Sequence, residues 1–121
     1  MEQYKNELSK LKNNLIKRGD IYSCNLGKSF GSEQGGNRYA LIIQNDMGNK
    51  YSPTVIVAFI TSKLGKKKLP THYEIQVEKP SLVLCEQLRT IDKRRLGEYV
   101  KTLSEEEMKC INECLIVSLD L

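Results

Sequence analysis

The sequence has a single histidine, His72, and no long apolar segment. The longest apolar run covers only residues 55–60, far fewer than the roughly 20 residues that a membrane-spanning helix needs. Residues 1–20 carry charges throughout and lack the apolar core of a signal peptide. One histidine also excludes a catalytic mechanism that needs a pair of imidazoles. These absences predict a cytoplasmic protein without membrane association.

The four cysteines, Cys24, Cys85, Cys110 and Cys114, do not have the pattern of a metal site. Cys110 and Cys114 are one helical turn apart, but no second pair at ligand spacing completes a set of four. Their spacing matches no common disulfide framework, and a secretion signal is missing. We therefore expect reduced thiols, with Cys110 and Cys114 packing as small hydrophobic side chains, and we expect no cofactor.

The charge is mildly basic, with a formal net charge of +4 over 121 residues. A chain of this length builds one hydrophobic core. Basic residues cluster at Lys63 with residues 66–68 and at Lys93–Arg95, whereas residues 105–107 are all glutamate. This distribution permits a polyanionic partner without requiring one, and each basic cluster is equally consistent with ordinary solvated surface.

The apolar pattern predicts a β-rich domain between two helices. Apolar residues spaced four and three apart in residues 2–16 predict an amphipathic helix, so we assign residues 1–16 as an N-terminal extension of a single domain at residues 17–121. β-Branched and aliphatic runs predict strands at residues 21–26, 39–44, 54–61, 73–77 and 82–91, with residues 99–102 as a further candidate. Glycine and asparagine predict turns at residues 27–37 and 45–53.

The C-terminal segment predicts a helix that begins at Ser104. Ser104 and Glu107 have the spacing of a capping box, and apolar residues at helical spacing predict a buried face made of Met108, Ile111, Cys114, Leu115 and Leu119. Residues 92–96 predict one additional helical turn. Together with five or six short strands, these helices indicate an α+β fold with a curled sheet or small barrel.

The segment Gly31-Ser32-Glu33-Gln34-Gly35-Gly36-Asn37-Arg38 concentrates polar side chains in a glycine-rich loop before a strand. Loops of this kind often position functional groups on a rigid sheet, and glycine lets the backbone approach a ligand closely. The lysine and hydroxyl residue that end a P-loop are missing, as is the spacing of a dinucleotide fingerprint. Taken alone, the pattern is more typical of a hairpin loop.

Several motifs in one order nevertheless resemble the MazF/PemK toxin family over about residues 17–120. They are Lys17-Arg18-Gly19-Asp20-Ile21-Tyr22, the Gly31 to Arg38 loop, Ile43-Gln44-Asn45-Asp46, Ser52-Pro53-Thr54, Ile60-Thr61, Lys68-Leu69-Pro70-Thr71-His72 and Cys85-Glu86-Gln87-Leu88-Arg89-Thr90-Ile91-Asp92-Lys93. The resemblance implies a small SH3-like barrel (CcdB/PemK-like) with appended helices and a homodimer. It also implies metal-independent, sequence-selective cleavage of single-stranded RNA, and inhibition by a cognate antitoxin protein.

The resemblance assigns catalysis to Arg38 and Thr61. Base recognition is expected from unstacked bases bound at their edges or on aromatic and guanidinium planes. The candidates for these RNA contacts are Phe30, Ser32, Glu33, Gln34, Ser62, Gln87 and Arg89. Phe30 is also a candidate core residue, and Gln87 and Arg89 fit ordinary outward polarity on a strand. For His72 we favour a structural or RNA-contacting role over that of a general base.

RNA cleavage needs little from the protein, because the ribose 2′-OH is the nucleophile. The enzyme deprotonates it, stabilises the pentavalent phosphorane and protonates the 5′ leaving oxygen. The guanidinium of Arg38 suits the second task, because it donates two hydrogen bonds to phosphate and stays charged. Thr61 can donate to, or orient, a phosphate oxygen.

Two departures from the family bear on substrate sequence. Tyr39 follows the arginine where proline is usual, and residues 77–81 form a shorter connection than the charged one of close relatives.

The sequence leaves two other functions open. A non-enzymatic toxin that binds a protein such as DNA gyrase would not require the Gly31 to Arg38 loop or Thr61. A DNA-binding regulator is disfavoured by the glutamates at the start of the C-terminal helix.

Overall fold

The computed structural model describes residues 15–27, 36–64 and 68–121. The helix predicted at residues 2–16 lies outside this part of the chain except for its last two residues, of which Ile16 is buried. The described strands are β1 (Asp20–Asn25), β2 (Asn37–Ile42), β3 (Thr54–Thr61), β4 (His72–Val77), β5 (Lys79–Asp92) and β6 (Leu96–Thr102). The helices are α1 (Asp46–Tyr51) and α2 (Glu105–Leu119), with a 3-10 turn at Lys93–Arg95.

The six strands form one antiparallel sheet in the order β4-β5-β3-β2-β1-β6. A register shift pairs Phe59 with Leu84 but Ala58 with Leu88, so residues 85–87 of β5 bulge and bend the strand. At the open edges, Lys101 Nζ on β6 donates to the carbonyl of Gln76 on β4 over 3.1 Å. The sheet is therefore curled into a half-barrel, which confirms the predicted curled sheet.

Both faces of the sheet are apolar. We call the side covered by α2 the helix face; its core comprises Ile21, Leu41, Ala58, Ile60, Ile75, Val77, Val83, Cys85, Leu103, Ile111, Cys114 and Leu115. The opposite face has a separate core of Ile16, Tyr22, Cys24, Leu26, Ala40, Ile42, Val55, Val57, Phe59, Ile91 and Leu96. Alternating residues of β1, β2 and β3 belong to the two cores, as the two-residue period of a strand requires. The central strands consequently appear in the sequence as continuous apolar runs.

Helix α2 begins as predicted. The Ser104 Oγ accepts from the Glu107 amide over 3.1 Å, and the Glu107 carboxylate accepts from the Ser104 amide over 3.0 Å. Ile111, Cys114 and Leu115 are buried against the sheet. The prediction that Leu119 belongs to the buried face is wrong, because this residue is 52% exposed.

Residues 45–53 are not turn throughout, because α1 forms at their centre. Asn45 caps it by accepting from the Gly48 amide over 2.7 Å. Asn49 is fully buried, donates to the Gln44 carbonyl over 2.9 Å and, through its own carbonyl, accepts from Lys93 Nζ. Glycine and asparagine are weak helix formers, so these side-chain bonds, rather than propensity, stabilise the helix. They also explain why the sequence pattern did not predict it.

A buried carboxylate joins the start of β1 to the end of β6. Asp20 is 6% exposed and accepts from the Lys17 amide over 2.9 Å and from the Thr102 hydroxyl over 2.7 Å. Tyr22 packs edge-on against Tyr99 at a centroid distance of 5.7 Å. Burial, followed by the neighbouring Asp20 charge, raises the pKa of Tyr22 to about 12. These contacts hold the edge strand β6 in place.

Within the described part of the chain, no helix has both the length and the apolar character needed to cross a membrane.

Substitution of Ser104 by alanine tests the capping box. The change leaves the Glu107 amide without its acceptor and should lower the free energy of unfolding by about 1 kcal/mol. Urea unfolding followed by circular dichroism measures the shift of the midpoint. Ser118→Ala, near the other end of α2, is the matched control and should leave the midpoint nearly unchanged. Equal midpoints for the two variants would contradict the capping interpretation.

Candidate active site

The pairing of β2 with β3 determines where Arg38 and Thr61 lie. Tyr39 is opposite Ile60, and the next positions along the two strands are Arg38 and Thr61, which the same register sets opposite each other. Opposite residues of an antiparallel pair project from the same face, with roughly 5 Å between their Cβ atoms. That face carries Ala40 and Phe59, so it is the face opposite α2. The sheet thus brings the two predicted catalytic positions together.

The Arg38 side chain is half-buried, and its neighbour on β1 is Cys24. Its Nε is buried and has no hydrogen-bond acceptor among the described residues. A buried donor without an acceptor carries an uncompensated desolvation cost. An anionic ligand oxygen would remove that cost.

Thr61 ends β3, and its hydroxyl is partly oriented by the protein. Its Oγ1 accepts from the Lys63 amide over 3.1 Å. A hydroxyl that accepts in this way keeps its own O–H for a second partner. Thr61 can therefore donate a hydrogen bond to a ligand.

Positive charge surrounds Cys24, beside Arg38. Burial raises the pKa of the Cys24 thiol to about 11, against the opposing effect of the positive charges of Arg89 and Arg95. Arg89 lies opposite Val57, on the same face as Thr61, and its side chain is exposed. The curled sheet thus brings Arg89 of β5 towards the β1–β2 pair that carries Arg38.

The other described candidates differ in exposure. Ser62 is exposed directly after Thr61, and Gln87 is half-buried in the β5 bulge, two residues before Arg89. Phe30, Ser32, Glu33 and Gln34 lie outside the described residues. The two ends of their loop are described: the Leu26 amide donates to the Gly36 carbonyl over 2.9 Å, and the Gly36 amide donates to the Gly27 carbonyl over 2.6 Å. The two ends of the loop are therefore joined to each other, and the second end lies two residues before Arg38.

The basic cluster at Lys93–Arg95 is largely used in structural contacts. Lys93 bonds to Asn49, and Arg94 donates to the Asp92 carboxylate over 3.0 Å. The bonds from Arg94 lower the pKa of Asp92 to about 2. Arg95 donates to the Asn25 carbonyl over 3.4 Å, which places it at the end of β1 near the candidate site.

His72 has a structural role in this arrangement. Its Nδ1 accepts from the Leu69 amide over 3.2 Å, which leaves Nε2 to donate to Glu86 over 2.9 Å. Thr71 donates to the other oxygen of the same carboxylate, also over 2.9 Å. These bonds join the start of β4 to β5. The structure thus gives His72 a bonding pattern consistent with the structural role favoured from the sequence.

All four cysteines are free thiols. Cys24, Cys85 and Cys114 are buried as small apolar side chains, whereas Cys110 is only half-buried, so its predicted packing role is incomplete. Within residues 15–27, 36–64 and 68–121, no three histidine, cysteine, aspartate or glutamate side chains are grouped so that they could share a metal ion.

Sequence reasoning missed a cleft of about 280 Å³ beside Arg38. Tyr39, Ser62, Glu78 and Lys79 contribute to its lining. Tyr39 and the short connection at residues 77–81 were recognised only as departures from the family. Their proximity depends on the β4–β5 hairpin, which the sequence pattern did not position.

A guanidinium and a hydroxyl on one face of a curled antiparallel sheet form a site suited to a phosphate group. The chain belongs to the PemK-like, MazF-like toxins of type II toxin-antitoxin systems, whose family model matches residues 17–119. The endoribonuclease MazF of Staphylococcus saprophyticus is 51% identical to it over 112 residues, which are 88% of this chain and 93% of the relative.

Solved structures have the same fold. An endoribonuclease in complex with its cognate antitoxin from a mycobacterial species matches with a TM-score of 0.75 and 25% identity, covering 88% of this chain and 96% of that one. MazF from Deinococcus radiodurans matches with a TM-score of 0.75 and 22% identity, covering 88% of this chain and 97% of the other. At 22% identity, the match to the Deinococcus protein shows the fold alone.

The Glu86 carboxylate should make stability depend on acid pH. Burial raises its pKa, but hydrogen bonds from His72, a backbone amide and Thr71 outweigh that effect and lower it. A group with a lowered folded pKa stabilises the protein fully above its unfolded pKa, about 4.3 for glutamate, and the contribution is lost as pH falls through the folded value.

We therefore expect the free energy of unfolding to fall more steeply below about pH 4.3 for the wild type than for Glu86→Gln. Urea unfolding at a series of pH values measures the two slopes. Glu74→Gln, an exposed position on β4, should retain the wild-type slope. Parallel curves for the wild type and Glu86→Gln would show that the His72–Glu86 contact does not control acid stability.

Proposed function

We propose that this protein is a cytoplasmic endoribonuclease toxin that cleaves single-stranded RNA at selected sequences without a metal ion. The observation that carries the proposal is the β2–β3 register, whose Tyr39–Ile60 pair makes Arg38 and Thr61 the next positions on the two strands. Membership of the toxin family, together with the 51% identical endoribonuclease, supports the reaction class.

The scissile phosphate binds between the two side chains. Two N–H groups of the Arg38 guanidinium donate to its non-bridging oxygens, as the planar fork of arginine favours. Its Nε, which is buried and has no acceptor within residues 15–27, 36–64 and 68–121, would gain a hydrogen bond if the ligand reached it. The Thr61 hydroxyl donates to a phosphate oxygen while its Oγ1 accepts from the Lys63 amide.

The reaction is an attack by the ribose 2′-OH on the adjacent phosphorus. The 2′ oxygen forms the new bond as its proton leaves, the bond to the 5′ oxygen breaks, and that oxygen takes up a proton. Negative charge increases on the phosphorane oxygens, and Arg38 and Thr61 are the donors that we assign to them. Donors positioned in advance typically lower such a barrier by roughly 3 to 4 kcal/mol each.

The products follow from this route. One fragment ends in a 2′,3′-cyclic phosphate, or its opened form, and the other begins with a 5′-hydroxyl. Cleavage of messenger RNA by this route stops translation and therefore growth. A cytoplasmic location suits this substrate.

Base selection is assigned to side chains around the phosphate site. RNA sequence is usually read from unstacked bases through their edges and faces. We assign this role to Ser62, Gln87 and Arg89, together with Phe30, Ser32, Glu33 and Gln34 of the loop before Arg38.

The proposal includes a homodimer as the active form and a cognate antitoxin protein as the inhibitor. A mycobacterial endoribonuclease of the same fold was solved with its cognate antitoxin, which supports this assignment. The antitoxin is expected to occupy the RNA groove, so that inhibition and substrate binding are competitive.

Arg38→Ala should reduce RNA cleavage by at least about 100-fold, because the main donor to the phosphorane is removed. Cleavage of a long single-stranded RNA, measured by gel electrophoresis in EDTA, gives the rate. Arg38→Lys keeps the charge but loses the planar pair of donors, so it should recover only part of the activity.

Two controls separate chemistry from folding. The thermal midpoint of Arg38→Ala should match that of the wild type, and Lys109→Ala, at an exposed position of α2, should cleave normally. A substrate with a 2′-deoxyribose at the cut site should remain intact. Activity that disappears in EDTA would contradict the metal-free mechanism, and supercoiling by DNA gyrase that responds to the protein while RNA stays whole would favour the protein-binding alternative.

A further inference from the structure

A cleft at the end of the sheet runs from Arg38 to the β4–β5 hairpin and opens on the helix face, where Ile60 and Val77 line it. Its volume is about 280 Å³, and its polar lining comes from Asn37, Arg38, Tyr39, Ser62, Glu78, Lys79 and Ser81. Ser81 is buried and donates to the Lys79 carbonyl over 3.0 Å. Arg38 is the residue that this cleft shares with the candidate phosphate site on the opposite face.

Glu78 is held at the cleft in an unfavourable backbone conformation. It is the single residue between Val77 and Lys79, which pair across the hairpin, and its φ is 59°. Residues other than glycine seldom adopt this left-handed region, and they do so mainly where the surrounding structure or a function requires it. Its carboxylate lies near the half-buried Tyr39, where burial and then the Glu78 charge raise the pKa of the phenol.

The charge of Glu78 indicates which part of an RNA strand the cleft can take. A carboxylate repels phosphate, so the backbone is disfavoured there. A carboxylate only accepts hydrogen bonds, so it can bind the donor groups on the edge of an unstacked base, while an aromatic side chain can stack on the face of that base. Lys79 beside it offsets part of the negative charge and keeps the cleft accessible to a nucleic acid.

We propose that this cleft binds one unstacked base of the RNA next to the phosphate held by Arg38, and that Glu78 selects a base with an exocyclic amino group. The inference rests on the proposed function and adds a specificity-determining residue to it. Adenine, cytosine and guanine each offer an amino donor on the Watson–Crick edge. Uracil offers one N–H between two carbonyl oxygens, which face the carboxylate unfavourably.

Cleavage of a randomised single-stranded RNA pool, followed by sequencing of the 5′-hydroxyl ends, tests this assignment. The wild type should prefer an amino-bearing base over uracil by about 5- to 100-fold at one position. Glu78→Gln should reduce that preference to near unity at that position alone, because its amide can donate to a uracil carbonyl as well as accept from an amino group.

Two further variants keep the test independent of folding and of net charge. Glu78→Gly removes the carboxylate and relieves the left-handed conformation, so it should fold at least as well as the wild type and also lose the preference. Glu74→Gln changes the net charge equally at an exposed position of β4 that does not line the cleft, and it should keep the wild-type preference.

The outcomes separate the two proposals. A wild type that cuts no RNA contradicts the proposed function itself. A wild type that cuts with a sequence preference that Glu78→Gln and Glu78→Gly leave unchanged overturns the role of Glu78, including when those variants alter antitoxin binding instead. A change spread evenly over all positions also overturns it, because base selection acts at one.

Discussion

The antiparallel pairing of β2 with β3 is the constraint on which the rest of the site depends. The Tyr39–Ile60 register fixes the faces to which Arg38, Thr61 and Ser62 project. A slip of one residue would turn the side chains of one strand to the other face, sending the guanidinium or the hydroxyl to the side covered by α2. Apolar residues on both faces make that slip costly, because each strand fills two cores at once.

The curl of the sheet adds residues that the register alone could not bring together. The charge of Arg89 on β5 opposes the effect of burial on the pKa of Cys24 on β1, although β3 and β2 lie between their strands. The bulge at residues 85–87 provides this bend, and the bond from Lys101 to Gln76 maintains it at the open edges. Basic groups distant in the sequence thus gather on the face that carries Arg38.

Much of the fold could be predicted from the sequence where one local pattern determined the outcome. Strand β3 has the bounds expected from its apolar run, and α2 begins where Ser104 and Glu107 specify. Helix α1 was missed because the side chain of Asn49 and a lysine from a distant turn stabilise it. The candidate pair Arg38 and Thr61 came from resemblance to the family, since no spacing rule links residues on two strands, and the Tyr39–Glu78 contact required the β4–β5 register.

Two backbone hydrogen bonds join Leu26 and Gly27 to Gly36 and close the base of the glycine-rich loop. Residues 28–35 can change in length or sequence without shifting the strand that follows, because the closure lies outside them. Arg38 therefore keeps its position while the neighbouring residues vary. With the role in base selection proposed above for this loop, such a scaffold would allow recognition to diverge through substitutions in one short segment while the sheet stays unchanged.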